Sequence, residues 1–254
     1  MENTNLKLPN FKILMPLVFH RIVEDQIDDW EDVNTKNFNR VLDLIGENHA
    51  VFRPNNRIDG HGWCITFDDG NVSDYEVAYP ILKSRNIKAT FFLIVSKIGK
   101  KGYLDWSQVN EMYRNGMSFG SHGLNHLSMN KLTPKEAFDE FKQSKDILED
   151  GIGDHISAFS YPFGEYNAET HKIGKTAGYN FLLTSDHGIK KNTASIFPRN
   201  NIHSGMSPDN ISKVLNPNIY LRGKWVIEDG AKKFIKRIIG RGNYIKIRTR
   251  IIHD

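Results

Sequence analysis

The chain alternates short apolar runs with amphipathic segments over most of its length. Most of the amphipathic segments have helical periodicity, as in Tyr75–Arg85, where the apolar residues share one face. Strand, helix and strand in repetition predict an α/β fold with a parallel sheet and helices outside it. The apolar runs with the length of strands are Ile13–His20, Trp63–Phe67, Lys88–Val95, Met117–Ser121, Ile156–Tyr161 and Tyr179–Thr184.

Two helices have recognisable start signals. Thr133, Pro134 and Glu136 form a capping box with a proline in the first turn, and Asp105 with Gln108 is a weaker form of the same device. Glycines are expected where helices stop. The predicted stops are Gly116, Gly151 and Gly178.

An open doubly wound sheet and a closed barrel both satisfy this alternation of elements. Three polar motifs each follow the C-terminal end of a different predicted strand. Barrel enzymes assemble their active sites at that rim, so the motifs favour the barrel.

The first motif, Thr66–Gly70, places Asp68 and Asp69 at a strand end. Adjacent carboxylates repel each other, so they need a nearby cation or a well-hydrated turn. A solvated turn or a helix cap is the alternative interpretation of this motif.

The second motif contains His122 and His126, four residues apart after the Met117–Ser121 strand. Imidazoles at this spacing can reach one metal ion, although a lone pair is also found by coincidence. Their position on the same rim as the aspartates favours a metal. One carboxylate and two imidazoles leave open coordination positions, as a hydrolytic metal requires.

The third motif is the loop Tyr161–Asn167, which contains Pro162, Phe163 and Gly164. This composition is ordinary in turns. The functional interpretation is that Tyr161, Pro162 and Phe163 form a rigid wall beside a sugar ring, with the Phe163 N–H directed at an oxyanion.

Together the three motifs resemble the polysaccharide deacetylase family, also described as the NodB-homology domain or carbohydrate esterase family 4. The resemblance extends over roughly residues 13–202. It implies a distorted (β/α)₇ TIM-like barrel and metal-dependent removal of the acetyl group from an N-acetylated amino sugar. It also implies that Asp68 is the catalytic base and that Asp69, His122 and His126 hold the metal.

The sequence departs from the family pattern at two points. Ser160 stands where many members have an arginine that pairs with the catalytic base, and we expect Arg199 to replace it unless Arg199 is a surface residue. The usual C-terminal catalytic histidine is also absent. The segment from Leu14 to Ile22 resembles a rearranged version of that strand, which predicts His20 as the general acid, with His187 next in line.

The predicted cofactor is a divalent ion, with zinc first and iron, cobalt or nickel suiting the same ligands. The sequence leaves open whether the N-acetylated saccharide is polymeric, lipid-linked or nucleotide-linked. Two alternatives are hydrolysis of another C–N bond, in a formamide or cyclic amide, and a catalytically dead carbohydrate-binding scaffold.

Composition adds limits on compartment and partners. One cysteine, Cys64, rules out an internal disulfide, and a polar N-terminus without a signal or membrane-spanning stretch predicts the cytoplasm. Of the net charge of +4, residues 222–254 hold ten Lys/Arg against three Asp/Glu. The slightly acidic remainder is unlike a nucleic-acid-binding core.

We therefore divide the chain into a barrel domain, residues 1–221, and a basic amphipathic extension, residues 222–254. In the extension, residues 231–242 have helical periodicity, with an apolar face and a basic face. That apolar face packs on the barrel or lies in an anionic membrane surface. The oligomeric state is left open.

Overall fold

A computed structural model of the protein describes residues 13–24, 26–53, 57–191 and 194–240. Its strands are β1 (Ile13–Phe19), β2 (Arg21–Val23), β3 (Asp32–Asn34), β4 (His49–Arg53), β5 (Arg57–Gly60), β6 (Gly62–Phe67), β7 (Thr90–Leu93), β8 (Ser118–Ser121), β9 (Ala158–Ser160), β10 (Phe181–Leu183), β11 (Lys190–Lys191), β12 (Ile196–Phe197) and β13 (Asn200–Asn201). Its α-helices are α1 (Thr35–Ile45), α2 (Tyr79–Ser84), α3 (Trp106–Arg114), α4 (Pro134–Ile152), α5 (Ala168–Thr176), α6 (Pro208–Leu215) and α7 (Ile219–Ile239), and a π-helical turn (Asp74–Ala78) leads into α2.

The six predicted strands form the parallel centre of the main sheet. Hydrogen-bonded pairs run in the order β1, β6, β7, β8, β9, β10 and β12, all in parallel. Helices alternate with most of these strands along the chain. The predicted α/β fold with a parallel sheet is therefore confirmed.

The segment from Ile196 to Asn201 connects the far side of this sheet with its first strand. Its first half, β12, pairs in parallel with β10, and its second half, β13, pairs in parallel with β1. One short segment therefore hydrogen-bonds to both β10 and β1, which are far apart in the strand order. Arg199 lies between the two halves.

Alternate strand residues enter two different cores, as the period of two in a strand requires. In β6, Trp63, Ile65 and Phe67 join the larger cluster, which includes helix residues. Cys64 points the other way, into a smaller cluster whose fully buried members all come from strands. Gly120 makes room within it, because a Cβ at this position would lie 2.4 Å from the Phe92 ring.

Both predicted capping boxes are present, at Thr133 for α4 and at Asp105 for α3. One predicted helix stop is wrong. Helix α4 continues through Gly151 to Ile152 and ends at Gly153, whose φ of +78° provides the left-handed cap. Gly151 instead leaves space for the Trp106 ring, which would lie 2.2 Å from a Cβ there.

Helix α7 begins three residues before the proposed domain boundary at 221/222 and runs across it. Trp225 is buried and stacks on His187 at 5.4 Å, and Asp229 accepts a 2.7 Å hydrogen bond from the His187 backbone N–H. These contacts fix the first half of α7 to the body. None of the described helices is long and apolar enough to cross a membrane, and residues 241 and 242 of the predicted amphipathic helix lie outside the described part.

Candidate active site

The side chains of the three motifs meet at one edge of the sheet. Asp68 and Asp69 follow β6, His122 and His126 follow β8, and Ser160 ends β9. These strands are parallel, so their C-terminal ends face the same side. The sheet therefore brings together residues that are distant in sequence.

Asp69, His122 and His126 form a cluster with the donor set of a divalent metal site. Asp69 Oδ1 is 3.5 Å from His122 Nε2 and 3.6 Å from His126 Nε2, and the ligand atoms all lie within 4.8 Å of one another. Asp69 Oδ1 is buried and has no hydrogen-bond partner among the described residues. A cation between these three atoms satisfies that oxygen, so the residues fit the metal that the sequence predicts.

Both histidines direct Nε2 at the Asp69 carboxylate. His122 Nδ1 is 2.8 Å from the Ser160 carbonyl oxygen, which can only accept a hydrogen bond, so Nδ1 carries the hydrogen and Nε2 presents its lone pair. Burial and the neighbouring His122 lower the pKa of His126 to about 4, although the Asp69 and Asp68 carboxylates act in the opposite direction. The His126 ring therefore does not have to lose a proton at neutral pH to coordinate a metal.

Three residues of this rim have left-handed backbone conformations, which are uncommon outside glycine. The φ angles are +77° at Asp69, +59° at His126 and +61° at Phe163. Such conformations cost about 1–3 kcal/mol each and persist only where the surroundings enforce them. Two of the three carry candidate metal ligands, so backbone strain is concentrated at the site.

Glu140 of α4 accepts three hydrogen bonds from the loop between the two histidines. One carboxylate oxygen accepts the backbone N–H groups of Leu124 (2.9 Å) and Asn125 (3.1 Å), and the other accepts the Asn125 side-chain amide (2.7 Å). Glu140 is nearly buried. Glu140 was not predicted as a site residue, although an acidic residue on the buried face of an amphipathic helix is a signal that such an interaction exists.

Arg199 lies fully buried against Asp68. Its Nη1 donates to Asp68 Oδ1 at 2.7 Å, and its Nη2 donates to Asp68 Oδ2 at 2.6 Å. Further hydrogen bonds go to the Thr184 carbonyl, the Thr66 hydroxyl and the Ser160 hydroxyl. The five contacts equal the five N–H donors of a guanidinium, so the buried charge is fully paired.

Ser160 joins this pair from the position where the family usually has its arginine. Its hydroxyl accepts from Arg199 Nη2 at 2.7 Å and donates to Asp68 Oδ2 at 3.0 Å. Burial by itself would raise the pKa of Asp68, but the Arg199 guanidinium, together with His122, holds that pKa well below its usual range. Asp68 is therefore an ionised carboxylate in a fixed orientation.

A second buried carboxyl lies near this centre. Asp74 is fully buried, and neither of its oxygens has a hydrogen-bond partner among the described residues. Burial and the charges of Asp69 and Asp68 raise its pKa well above the usual value. Sequence reasoning missed Asp74, because it occupies an ordinary position at the start of a helical segment.

The residues of the third motif differ in how far they are buried. Tyr161 and Pro162 are buried, with Tyr161 stacked 5.3 Å from Tyr166. Phe163 is half-buried, and its ring centroid lies 4.4 Å from that of His126. Of the three residues predicted to line a sugar, only Phe163 presents side-chain surface there.

His20 follows β1 and lies within electrostatic range of the cluster, since its charge contributes to the pKa values of both Asp68 and His126. Its Nε2 is 3.9 Å from Glu31 Oε1, and its buried Nδ1 has no hydrogen-bond partner in the described residues. His187 is engaged elsewhere, because its Nδ1 pairs with Asp229 at 2.9 Å.

Comparison with known proteins identifies the family. Residues 56–182 match the profile of the polysaccharide deacetylase family, which amounts to half of the chain. The chain belongs to the polysaccharide deacetylase family. The family resemblance drawn from the motifs is confirmed.

Individual relatives support this assignment. YxkH of Bacillus subtilis (strain 168), whose name places it in the same family, is 37% identical over 145 residues, 56% of this chain and 52% of its own. The poly-beta-1,6-N-acetyl-D-glucosamine N-deacetylase of Staphylococcus aureus (strain MSSA476) is 30% identical over 135 residues, 47% of each chain. The aligned part thus spans about half the length of these curated relatives.

Among solved structures, the Streptococcus pyogenes deacetylase PplD, determined in complex with acetate, is similar to this chain with a TM-score of 0.73 and 29% identity. The match covers 82% of this chain and 100% of PplD. The similarity of fold therefore extends beyond the half of the chain that the family profile matches.

Proposed function

We propose that this chain is a metal-dependent hydrolase that removes the N-acetyl group from an N-acetylated amino sugar. The substrate is a polysaccharide, an oligosaccharide or an intermediate of glycan biosynthesis. The observation that carries the proposal is the ligand cluster of Asp69, His122 and His126 beside the fixed carboxylate of Asp68. The name of the S. aureus relative supports an N-acetyl substrate, and the name of PplD, a deacetylase in complex with acetate, supports removal of an acetyl group.

In this proposal Asp69, His122 and His126 hold one divalent ion, zinc first, with iron, cobalt or nickel as alternatives. Such an ion supplies a Lewis acid to the amide carbonyl and to water. Asp69 and His126 are part-exposed whereas His122 is buried, which leaves the cluster open on one side for substrate.

Two different residues carry out the two proton transfers of the reaction. Asp68 accepts a proton from the attacking water as the new C–O bond forms, and Arg199 and Ser160 keep its carboxylate oriented. The backbone N–H of Phe163 donates to the tetrahedral oxyanion. His20 protonates the nitrogen as the C–N bond breaks, which leaves acetate and a free amine.

The alternative of a catalytically dead scaffold lost its main support. A dead scaffold would be expected if nothing paired with Asp68 in place of the arginine that position 160 lacks, and Arg199 makes a bidentate contact with Asp68. Hydrolysis of a formamide or cyclic amide by the same residues remains a rival that an assay separates. Action in the cytoplasm stays a prediction, which fractionation of cells producing the full protein would test.

The test is acetate release from N-acetylglucosamine oligomers, after chelation and re-addition of each metal in turn. The same assay with nucleotide-linked and lipid-linked N-acetyl sugars, and with formamides and cyclic amides, defines the substrate class. We expect acetate release that depends on the metal and is lost in Asp68→Asn. A fully metal-loaded protein without turnover on any N-acetyl sugar would refute the proposal.

A further inference from the structure

Helix α7 exposes a continuous row of large apolar side chains to solvent. The exposed fractions are 80% for Tyr220, 72% for Ile227, 64% for Phe234 and 64% for Ile238. Their spacing of seven, seven and four residues places them on one face of the helix. Ile219 and Val226, at 89% and 75% exposed, extend the same face, and we call these six residues the α7 stripe.

The contacts that attach α7 to the rest of the fold leave this stripe facing solvent. Trp225 and Asp229, four residues apart, point to the body, where they stack on and hydrogen-bond to His187. Tyr220, Ile227, Phe234 and Ile238 lie on the opposite side of the helix, and Ile219 and Val226 lie along the edge of that side. The sequence allowed the apolar face to pack on the barrel, and the exposure of Phe234 and Ile238 argues against that alternative.

The charge around the stripe favours an anionic partner. Residues 222–240 hold six Lys/Arg against two Asp/Glu, and residues 222–254 hold ten against three. The rest of the chain carries a net negative charge. Positive charge and exposed apolar surface therefore coincide on the same segment.

We propose that the α7 stripe is a docking surface for an anionic phospholipid membrane. A helix of 21 residues is about 32 Å long and would lie in the plane of the headgroups, with the stripe in the acyl boundary. The net positive charge of the segment would be attracted to the lipid phosphates. A second copy of the chain is disfavoured, because two such segments repel each other through their like charges. A nucleic acid would leave the stripe exposed to water.

The attachment point also brings this surface close to the candidate active site. His187 follows β10, and the neighbouring Asp186 carbonyl accepts the Arg199 backbone N–H at 2.7 Å. Docking through α7 would thus hold the candidate active site at a fixed position relative to the membrane. The docking proposal does not depend on the reaction catalysed there.

Flotation of the full chain with lipid vesicles tests the proposal. One vesicle preparation contains equal parts of phosphatidylcholine and phosphatidylglycerol, and the other contains phosphatidylcholine alone. We expect binding to the anionic vesicles that weakens in high salt. The triple variant Ile227→Ser, Phe234→Ser, Ile238→Ser should bind about tenfold or more weakly.

The matched control replaces two exposed apolar residues of α4, Phe138→Ser and Ile147→Ser, and should bind like the parent. Circular dichroism of both variants establishes that they fold. The proposal is overturned if the parent does not float with anionic vesicles, or if the triple variant floats equally well. A dimer in light scattering that the triple variant loses, without vesicle binding, would assign the stripe to a second copy instead.

Discussion

Arg199 donates two parallel hydrogen bonds to Asp68, of 2.7 and 2.6 Å, although 131 residues separate them in sequence. The segment that carries Arg199 pairs with β10 on one side and with β1 on the other. Ser160, from the neighbouring strand, bridges the same two side chains through its hydroxyl. Ser160 at the end of β9 and Arg199 between β12 and β13 thus together make the contacts with Asp68 that a single arginine makes in many family members.

Arg199→Ser should lower the free energy of unfolding by about 3–5 kcal/mol, because it leaves the buried Asp68 carboxylate without its cation. Deacetylation should fall by about 10²-fold, since the base loses its fixed orientation. Chemical denaturation and the rate of acetate release measure the two effects.

The double variant Ser160→Arg, Arg199→Ser returns the arginine to position 160 and should recover part of both losses. Ser160→Ala serves as the control, because it removes only the hydroxyl and should cost about 1 kcal/mol. A single Arg199→Ser variant with parental activity would show that the pair is structural only.

Arg199 illustrates what the sequence could supply and what it could not. A missing arginine at position 160 and a second arginine after a late strand were enough to predict a replacement. The split of the closing segment into β12 and β13 was not predictable, because strands of two residues have no apolar periodicity. Strands β2, β3 and β11 have only two or three residues and were missed because they too are short.

Mutations of a metal ligand and of the catalytic base should have different effects on metal binding. Asp69→Ala removes a ligand and should abolish both metal binding and activity, whereas Asp68→Asn should abolish activity and keep the metal. Elemental analysis after gel filtration gives the metal content, and acetate release gives the activity. Full metal occupancy in both variants would mean that the assigned roles are wrong.

Glu140→Gln should weaken metal binding by about 10–100-fold. The substitution removes the charge and one acceptor oxygen of the side chain that holds the loop between the histidines. Competition with a chromophoric chelator measures the affinity. Activity should return at saturating metal, since the ligands themselves are intact.

Asp139→Asn, one residue away on the exposed side of α4, is the matched control and should bind metal like the parent. If Glu140→Gln lowers only the melting temperature of the metal-free protein, Glu140 stabilises the fold and does not position the ligands. The sequence predicts α4 and its capping box, but hydrogen bonds from a helix to a distant loop depend on tertiary packing.

The attachment of α7 should be sensitive to acid. Burial would raise the pKa of Asp229, but its hydrogen bonds from His187 hold the pKa below the usual value. The folded-state pKa is thus lower than the unfolded one, so this stabilisation is complete above about pH 4 and is lost as the pH falls further. Hydrogen exchange, corrected for intrinsic rates, should show α7 opening below pH 4 while α4 stays protected.

Asp229→Asn should open α7 more readily at neutral pH and flatten its pH dependence. Opening of the parent helix between pH 5 and 8 would contradict the assignment, because Asp229 remains ionised across that range.

His20 is the proposed general acid, and its test depends on the leaving group. An amine cannot depart as an anion, so the acetamide reaction needs a proton at nitrogen, whereas an activated aryl ester has a leaving group that needs none. His20 ends β1 on the rim, close enough for its charge to influence Asp68 and His126. His187, the other candidate, is held by Asp229.

His20→Ala should keep its metal and lose about 10²–10⁴ in kcat on an acetamide, with a much smaller loss on the aryl ester. His61→Ala is the control, because His61 is exposed at the opposite end of β6 and should leave both rates unchanged. Equal losses on the two substrates would mean that His20 supports the site in another way. In that case, comparing the two substrates again in a His187→Ala variant would show whether the proton comes from His187, which would then have to leave Asp229 during turnover.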